Sequence, residues 1–575
     1  MQKSASLMAF LHKDFNLLQI NLHFITILQA VLVMNKPTMQ LFPKKKTVSI
    51  STITDSLSHK RSSPQDAELA EPLSKCTGHS FFRRHNRGCF RAARAFLRHC
   101  LPLFIALLVG LTACRQSPDS SPAGGTTTTD STGVKDSSTN LAQLSDSALF
   151  TLIEERSFQY FYEGAEPTSK MARERIHMDG DYPEHDQTVI TTGGSGFGIM
   201  ALIVGIERGF ITKAEGINRL TDIVSFLEKA DRYHGAYSHW YEGTTGKTKP
   251  FGTKDDGGDL VETSFLMQGL ITARQYLQGG SAEQKALAAR IDQLWRAVDY
   301  NWYTKGGEKV LYWHWSPKYG WEMNFPVHGY NECLIMYILG ASSPTHAIDK
   351  ATYDEGWAMS GKIKRASSYK GIPLQFYHQG DLPDGGPLFW SEYSYLGLDP
   401  RGLSDAYGNY GQENINQTLI NYQWCIDNPK GFKGYGANCW GLTAGYSVGG
   451  YAAHAPNMQS DLGVITPTAA LSSFAYTPKE SMAALRYFYD SLGTKLLGKY
   501  GFYDGFSESE NWFPKRYLAI DQGPIVAMME NYRSGLLWRL FMSAPEVRAG
   551  LKKLGFTLGT PAASLKSQLP SPSLN

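Results

Sequence analysis

The feature that most restricts the fold of this chain is an alternation of two kinds of helical segment after residue 144. "GFGIMALIVGIERGF" (Gly196–Phe210) is apolar on nearly every side, which is typical of a buried helix. The next segment, "TKAEGINRLTDIVSFLEKA" (Thr212–Ala230), is amphipathic, and its Thr212 and Glu215 have the spacing of a capping box. Repeated pairs of this kind predict an all-α toroid, with apolar helices inside and amphipathic helices outside.

Further helices are expected along the chain, joined by long loops. Ser281 and Thr477 are cap residues that each begin an amphipathic pattern. The loops Ala230–Gly258 and Asn301–Pro326 are rich in Gly and aromatic residues, and loops of this length inside a domain are usually functional. A hairpin around "KVLYWHWSPKYGWEMN" would be a minor β addition, and a generic helical domain is the alternative. Other candidate helices cover Leu260–Gln278, Gly329–Leu339, Asn414–Cys425, Pro467–Phe474 and Pro524–Phe541.

The first part of the chain differs in composition from the rest. All 12 Trp and all 31 Tyr lie beyond residue 145, so the globular domain is expected at residues 144–560, followed by a flexible tail at 561–575. The short apolar run "LPLFIALLVGLTAC" (Leu101–Cys114) follows an arginine-rich flank, as in a secretory signal. It ends in "LTAC", which resembles a bacterial lipobox and implies cleavage before Cys114 and lipidation of its thiol. A plain signal peptide with a chance cysteine is the alternative.

These features predict a lipid-anchored protein of the bacterial cell envelope, in the periplasm or on the outer surface. Residues 81–113 would be the lipoprotein signal peptide, and residues 114–143 a lipidated cysteine with a flexible Ser/Thr-rich tether. Residues 1–80 have no clear role, and we interpret them as a region upstream of the real start.

Charge and cysteine content exclude several classes of function. Residues 1–114 hold 15 of the 56 basic and 5 of the 53 acidic side chains, so the remainder has 41 and 48 and a net charge of −7. No basic patch for a nucleic-acid partner is evident. Cys333, Cys425 and Cys439 lack zinc-site spacing and are expected to be buried. Neither a cofactor nor a metal is predicted. "DGDYPEHDQ" is an acid-rich loop for which Ca²⁺ binding is a weaker alternative, and "GYSVG" lacks the α/β context of a serine nucleophile.

One short segment gathers an unusual number of carboxylates. "GTKDDGGDLVETSF" (Gly252–Phe265) contains Asp255, Asp259 and Glu262 just before an apolar helical pattern. Asp259 can act as the N-cap with Glu262 three residues later, and acids are also favoured at the positive end of a helix dipole. The same carboxylates could instead line a catalytic pocket, and this segment alone does not decide between the two.

Three other acids stand at predicted helix entries beside aromatic residues. They are Glu332 in "FPVHGYNECLIMYIL", Glu392 in "FWSEYSYLGLDPRG" and Asp521 in "RYLAIDQGP". In a helical toroid the N-termini of the inner helices gather at one mouth, so acids that are distant in sequence can converge there. Converging carboxylates among Trp and Tyr residues suit glycosidic hydrolysis, in which one acid protonates the leaving oxygen and another carboxylate activates water or attacks.

Long stretches of the chain resemble one family. They include "TTGGSGFGIMALIVGIERGFIT", "DDGGDLVETSFLMQGLITARQY", "GWEMNFPVHGYNECLIMYILGASSPTH" and "NWFPKRYLAIDQGPIVAMMENYRSGLLWRLFM". Over residues 145–555 the sequence is similar to the glucoamylase-like domain of bacterial β-1,2-glucanases, glycoside hydrolase family 144. The resemblance implies an (α/α)6 toroid, metal-independent cleavage of β-1,2-glucan and inversion at the anomeric carbon. Inverting enzymes hold their two carboxyl groups about 6.5–9.5 Å apart.

The resemblance also implies roles for individual residues. Glu332 would be the general acid and Asp521 the general base, with Asp255, Asp259 and Glu262 orienting water or sugar. The residues expected to bind substrate are His328, Tyr330, Trp240, Trp313, Trp440, Tyr446 and Glu392. The protein is expected to be a monomer, acting as an endo-β-1,2-glucanase or as an exo-acting enzyme that releases sophorose. Alternatives are a glycosidase or transglycosylase of the same fold acting on another β-glucan, and a lipid-anchored glycan-binding protein without catalysis.

Overall fold

The computed structural model describes residues 143–559, apart from the side chains of residues 183–185. The predicted signal peptide, Cys114, the tether, residues 1–80 and the tail at 561–575 lie outside the described residues. Within 143–559, none of the helices combines the length and the apolar character that crossing a bilayer requires.

Helices dominate the described part of the chain. Shorter helical turns occur at Leu388–Ser391 and Tyr393–Tyr395, among other places. In chain order, the α-helices are α1 (Asp146–Tyr162), α2 (Thr192–Arg208), α3 (Lys213–Leu227), α4 (Leu260–Leu277), α5 (Ala282–Arg296), α6 (Leu334–Ser342), α7 (Tyr410–Asp427), α8 (Pro467–Leu471), α9 (Pro478–Arg486), α10 (Gly493–Leu496), α11 (Ala519–Arg533), α12 (Leu536–Met542) and α13 (Pro545–Leu554).

The helices form the predicted (α/α)6 toroid. Helices α2, α4, α6, α8 and α11 are buried along almost their whole length and form the inner ring, together with the turns at residues 388–395. Helix α2 packs between α4 and α11, and α8 also packs against α11. Helices α3, α5, α7 and α9 are more amphipathic and lie outside. The alternation of buried and amphipathic segments in the sequence is therefore the alternation of inner and outer helices.

Glycines allow the inner helices to approach closely. A Cβ added at Gly196 of α2 would lie 2.3 Å from the carbonyl oxygen of Phe265 in α4. One added at Gly269 of α4 would lie 2.1 Å from the carbonyl oxygen of Gly196. The glycine-rich start of α2, "TGGSG", thus serves helix packing.

Helix caps were predicted with mixed success. The capping box of Thr212 and Glu215 is present in full, and the side chains of Ser281 and Asp259 accept hydrogen bonds from backbone N–H groups three residues later. The side chain of Thr477 makes no such bond; Pro478 at the first helical position begins α9 instead.

Two predicted helices have different limits in the structure. The helix expected from Gly329 begins only at Leu334, so Glu332 lies in the turn before it. The segment Pro524–Phe541 is split between α11 and α12, because Gly535 adopts a left-handed conformation with φ 68°. Helix α11 also begins earlier than expected, directly after a strand that ends at Leu518.

The β additions are short and lie in the segments between and after the helices. In the described part of the chain they form eight sheets of two or three strands. The strands are β1 (Arg175–His177), β2 (Val189–Thr191), β3 (Arg232–Tyr233), β4 (Ala236–Tyr237), β5 (Trp240–Glu242), β6 (Lys247–Lys249), β7 (Gly258–Asp259), β8 (His314–Trp315), β9 (Lys364–Tyr369), β10 (Ile372–Phe376), β11 (Leu403–Ser404), β12 (Ala444–Ser447), β13 (Gly450–Ala453), β14 (Leu497–Gly498), β15 (Gly501–Phe502), β16 (Arg516–Leu518) and β17 (Thr557–Leu558).

Strand pairing joins segments that are far apart in sequence. Strand β1 pairs with β16, with Arg175 opposite Leu518. Strand β8 pairs with β7, with His314 opposite Asp259. The segment expected to form a hairpin also folds back on itself, with antiparallel bridges between Ser316 and Gly320 and between Tyr312 and Pro326. "GYSVG" forms the hairpin β12–β13, and no helix follows it as a nucleophile elbow would require. The three cysteines of the domain are free and buried, as predicted.

Candidate active site

A cavity of about 330 Å³ opens where the inner helices begin. It is walled by the segments that lead into α2, α4, α6 and α11, by the turn at residues 388–395 and by the β12–β13 hairpin. This arrangement confirms that the N-termini of the inner helices gather at one mouth. The lining residues are Glu174, Arg175, Thr191, His239, Trp240, Phe251, Glu262, Phe265, Trp313, Glu332, Phe389, Tyr393, Tyr446, Tyr451, Leu518 and Ile520.

Glu332 is a buried acid on the cavity wall. It lies in the turn before α6, and its backbone carbonyl accepts a hydrogen bond from the hydroxyl of Ser394. None of the described basic side chains forms an ion pair with its carboxylate. Burial is the main cause that raises the pKa of Glu332 to about 7, so a large fraction of this group is protonated near neutral pH.

Glu262 is the second acid on the cavity wall. Its Oε2 accepts a hydrogen bond of 2.7 Å from the backbone N–H of Gly193 at the start of α2. The capping box predicted for Asp259 and Glu262 is therefore half formed: Asp259 caps α4, while Glu262 reaches to the neighbouring inner helix. Burial raises the pKa of Glu262 to about 7, against the opposing effect of His239.

Asp259 is fully buried behind the cavity wall, and it holds two side chains of that wall in place. Its Oδ2 accepts hydrogen bonds from Nδ1 of His239 at 2.9 Å and from Nε1 of Trp313 at 3.0 Å. Burial alone would raise the pKa of Asp259, but the hydrogen bond from His239 and the proximity of His314 hold it below its usual value. Asp259 is therefore a carboxylate that positions an imidazole and an indole toward the cavity.

His239 carries a positive charge at the mouth of the cavity. Burial would lower its pKa, but the carboxylates of Glu262, Asp259 and Asp255 outweigh burial and raise the pKa to about 10. The ring of Phe251 stacks on the imidazole with centroids 4.1 Å apart. His239 thus presents a fixed cation beside Glu262.

Asp255 completes this cluster through a second histidine. Nε2 of His314 lies 3.1 Å from Oδ2 of Asp255 and 3.6 Å from Oδ2 of Asp259. One ligand atom each from His239, Asp255 and Asp259 lie within 4.8 Å of one another, which is a spacing that a cation could use. Oδ2 of Asp259 already accepts two hydrogen bonds and its Oδ1 caps α4, so we assign these residues to positioning.

Asp521 is buried next to Ile520 of the cavity wall and close to a second acid. Burial and the charge of Asp504 raise the pKa of Asp521 well above its usual value. Oδ2 of Asp504 accepts a hydrogen bond of 2.6 Å from the backbone N–H of Tyr446, and burial raises the pKa of Asp504 to about 6. The pair therefore carries one negative charge near neutral pH, held mainly on Asp504, and can take up one further proton as a unit.

Aromatic side chains form most of the remaining cavity surface. The guanidinium of Arg175 lies 5.3 Å from the ring centroid of Trp240. Trp313 stacks on Phe325 with centroids 5.4 Å apart, and the hydroxyl of Tyr446 lies 2.6 Å from Nε2 of His177. These rings are held rigidly, so they offer preformed apolar faces to a ligand.

The structure brings some of the predicted site residues to the cavity and places others elsewhere. Glu262, Glu332, Trp240, Trp313 and Tyr446 line it, whereas Asp255, Asp259 and Asp521 lie directly behind lining residues. His328 is half-buried and is not part of the wall.

Three predictions of substrate-binding residues are wrong. Trp440 is fully buried and donates from Nε1 to the carbonyl of Glu480, so it has no face for a sugar. Tyr330 is fully buried, and its hydroxyl donates to Asn414. Glu392 is fully buried with no hydrogen-bond partner among the described residues, and it does not line the cavity.

Sequence reasoning missed His239, His314 and Asp504. His239 and His314 stand beside Trp240 and Trp313 in the two loops expected to be functional, so a histidine adjacent to tryptophan in such a loop was a usable signal. Asp504 in "FYDGF" carries no comparable pattern.

Comparisons with known proteins identify several relatives of this chain. Residues 324–545 match the family model described as "putative glucoamylase". The structure of the endo-β-1,2-glucanase from Chitinophaga pinensis, solved as a complex with sophorotriose and glucose, has 64% sequence identity and a TM-score of 0.72. That match covers 72% of this chain and 99% of the other.

Two further relatives come from Bacteroides caccae and Parabacteroides distasonis. A structure described as a putative glucoamylase from Bacteroides caccae has 60% identity and a TM-score of 0.71, covering 72% of this chain and 100% of the other. The exo β-1,2-glucooligosaccharide sophorohydrolase (non-reducing end) of Parabacteroides distasonis is 45% identical over 426 residues, covering 72% of this chain. The chain spans 58% of the length of that curated relative.

Proposed function

Because this chain belongs to the glucoamylase-like family that includes the endo-β-1,2-glucanase of Chitinophaga pinensis, we propose that it is a glycoside hydrolase that cleaves β-1,2-linked glucan. Relatives at 45% and 64% identity are named for hydrolysis of this linkage, one with an endo and one with an exo action. We also propose that this chain is a member of glycoside hydrolase family 144.

The observation that carries the proposal is the position of Glu332 on the cavity wall together with its raised pKa. A general acid has to be protonated at the working pH and to contact the leaving oxygen. Glu332 lines the cavity and has a pKa of about 7 because it is buried. We therefore assign to Glu332 the transfer of a proton to the glycosidic oxygen, which lets the aglycone side leave as an alcohol.

The matching base is the Asp504–Asp521 pair. An inverting reaction needs a group that takes a proton from the attacking water on the opposite side of the sugar. Asp521 adjoins Ile520 of the wall, and the pair with Asp504 has one negative charge to receive that proton. Since Asp521 is buried behind the wall, a water or a sugar hydroxyl in the cavity relays the proton to it. Asp521 already carries a proton, so it passes that proton on to the carboxylate of Asp504 as it receives the new one.

The cluster around Asp259 supports binding and orientation. His239 offers a charged N–H group and Glu262 offers a carboxyl group to sugar hydroxyls, while Trp240 and Trp313 offer apolar faces. Because Asp259 holds both His239 and Trp313, one buried carboxylate fixes a polar and an apolar contact together.

A product assay tests the proposal. The purified protein is incubated with linear β-1,2-glucan and, in parallel, with β-1,3-glucan, β-1,4-glucan and starch. We expect short β-1,2-linked oligosaccharides only: a ladder of products indicates endo action, and a single disaccharide from the start indicates exo action. Absence of products from β-1,2-glucan, or equal cleavage of another glucan, contradicts the proposed substrate.

A pair of variants separates catalysis from sugar binding. Glu332→Gln removes the transferable proton and keeps the shape, and we expect turnover to fall about 10²–10⁴-fold while oligosaccharide binding remains. Glu283→Gln, an exposed position at the start of α5, is the matched control. Binding without turnover in the wild-type protein would favour the alternative of a non-catalytic glycan-binding protein.

We further propose that Cys114 is lipidated and anchors the protein in the bacterial cell envelope, as a monomer. The support is the "LTAC" sequence after a basic and apolar signal-like segment. Replacing Cys114→Ala in full-length protein expressed in a bacterial host should move the protein from the membrane to the soluble fraction. Light scattering of the purified protein tests whether it is a monomer in solution.

A further inference from the structure

A second cavity of about 500 Å³ lies outside the candidate active site, on the loop Asn301–Pro326. It is lined by Asn301, Trp302, Lys305, Gly306, Gly307 and Trp321. Trp302 is 38% exposed, which is unusual for the largest apolar side chain. The volume of the cavity is within the range of about 300–1,000 Å³ that small-ligand sites occupy.

The indole of Trp302 is held in one orientation. The imidazole of His234 stacks on it with centroids 3.6 Å apart and an interplanar angle of 13°. The ring of Trp315 meets it edge-on at 6.2 Å and 79°. With one face covered by His234, the exposed part of the indole is presented to the groove, and little side-chain entropy is lost when a ligand stacks on it.

Polar groups surround this aromatic platform. Asn301 lies on its rim, and Lys305 is fixed by a hydrogen bond of 2.7 Å from its Nζ to Oδ1 of Asn324. Gly306 and Gly307 have φ of 87° and 96°, and an added Cβ at either would meet open space, so the backbone of this turn is accessible. An apolar ring bordered by hydrogen-bonding groups fits a pyranose, which has an apolar C–H face and a rim of hydroxyls.

Aromatic residues of one loop link the groove to the candidate active site. Strand β8 has Trp313 before it and Trp315 within it: Trp313 lines the catalytic cavity, and Trp315 packs against Trp302. Phe325, 39% exposed, stacks on Trp313 at the same loop. Aromatic rings on one loop therefore extend from the catalytic cavity to the second groove.

We propose that this groove is a second sugar-binding site, which holds a distal part of the same β-1,2-glucan chain whose bond is cleaved in the main cavity. This inference rests on the proposed function. A single lysine already bonded to Asn324 offers little to an anionic ligand, whereas the stacked indole and open turn suit a neutral glucan. The site raises the affinity for long chains and leaves the chemistry on short chains unchanged.

The test compares a long and a short substrate in matched variants. Trp302→Ala removes the platform, Trp302→Phe keeps a smaller ring, and Ile426→Ala changes a side chain of similar exposure, 40%, at the end of α7. Binding of linear β-1,2-glucan is measured by affinity electrophoresis, and kcat/KM is measured on the polymer and on a β-1,2-linked trisaccharide. Equal thermal midpoints show that the variants are folded.

We expect Trp302→Ala to bind the polymer about 3- to 10-fold more weakly and to lose kcat/KM on it by a similar factor. Its kcat/KM on the trisaccharide should stay at the wild-type value, and Trp302→Phe should recover part of the polymer binding. Polymer binding that is unchanged, or a loss that is equal on both substrates, overturns the second site. If the wild-type protein cleaves no β-1,2-glucan, the proposed function fails; if it is also not retarded by the polymer, this inference fails as well.

Discussion

The carboxylate of Glu262 in α4 accepts a hydrogen bond of 2.7 Å from the backbone N–H of Gly193 at the start of α2. This bond joins the N-termini of two inner helices at the wall of the cavity. It also satisfies one of the free N–H groups with which every helix begins. The acid therefore serves the helix end and the candidate site at once.

Gly193→Ala should disturb this contact. An added Cβ would lie 2.6 Å from Oε2 of Glu262 and 3.0 Å from the ring of Phe265, so Glu262 has to move. We expect a loss of about 1–3 kcal/mol in the free energy of unfolding and a larger fall in kcat than in binding. Gly279→Ala, where an added Cβ meets no atom within 4 Å, should change neither quantity. Wild-type kcat in Gly193→Ala would show that the position of Glu262 is unimportant.

The pH dependence of turnover should be bell-shaped with a narrow maximum. Glu332 has to keep its proton, so activity falls as the pH rises through its pKa of about 7. The Asp504–Asp521 pair has to keep its negative charge, so activity also falls as the pH drops below the pKa of about 6 of Asp504. Initial rates on β-1,2-glucan between pH 4 and 9 measure both limbs.

The variant Asp504→Asn separates the acid limb of this pH profile from the alkaline limb. The variant has no charge on Asp504 to retain, so the decline on the acid side should move or vanish while the alkaline decline remains. Asp504→Asn with an unchanged acid limb would assign that limb to another group.

Two tryptophans with different surroundings should give opposite phenotypes. Trp240→Phe shrinks a ring on the cavity wall, so we expect KM to rise several-fold with little change in stability. Trp440→Phe loses a buried hydrogen bond to the carbonyl of Glu480 and leaves a void, which costs about 1–3 kcal/mol of stability with KM unchanged. KM values and urea unfolding curves of both variants check this. A raised KM for Trp440→Phe would mean that it contacts substrate after all.

The stability of the domain should fall as the pH rises above about 4.5. Burial raises the pKa of Glu392 well above its usual value, so the folded state keeps a proton that the unfolded chain releases. Its contribution to stability is complete below the unfolded pKa and is lost as the pH rises toward the folded one. Glu392→Gln should flatten the decline in thermal midpoint between pH 5 and 8, whereas the exposed Glu510→Gln should leave it unaltered. An equal slope in both variants would assign the decline to other buried acids.

The fold was largely predictable because helix period and cap chemistry are local properties. The sequence around Thr212 predicts an outer helix and that around Gly196 an inner one, and the toroid follows from their alternation. Resemblance then identified Glu332 and Glu262, which the structure places on the cavity wall.

Burial of individual aromatic and acidic side chains was not predictable, because it depends on contacts between distant segments. Trp240 and Trp440 both stand in Gly- and aromatic-rich sequence, yet one faces the cavity and the other the core. Asp504 meets Asp521 only in the folded chain, so its raised pKa has no signal in the sequence. The break at Gly535 likewise shows that one apolar run can form two helices.

The pairing of β1 with β16 has a consequence for how the protein matures. Arg175 and Leu518, opposite each other in this pairing, flank the candidate site and come from opposite ends of the domain. A ribosome has to release almost the entire domain before these two strands can meet. Any catalytic activity of the nascent chain is therefore withheld until nearly all of the domain has been made, and turnover of substrate reports whether the ring of helices has closed.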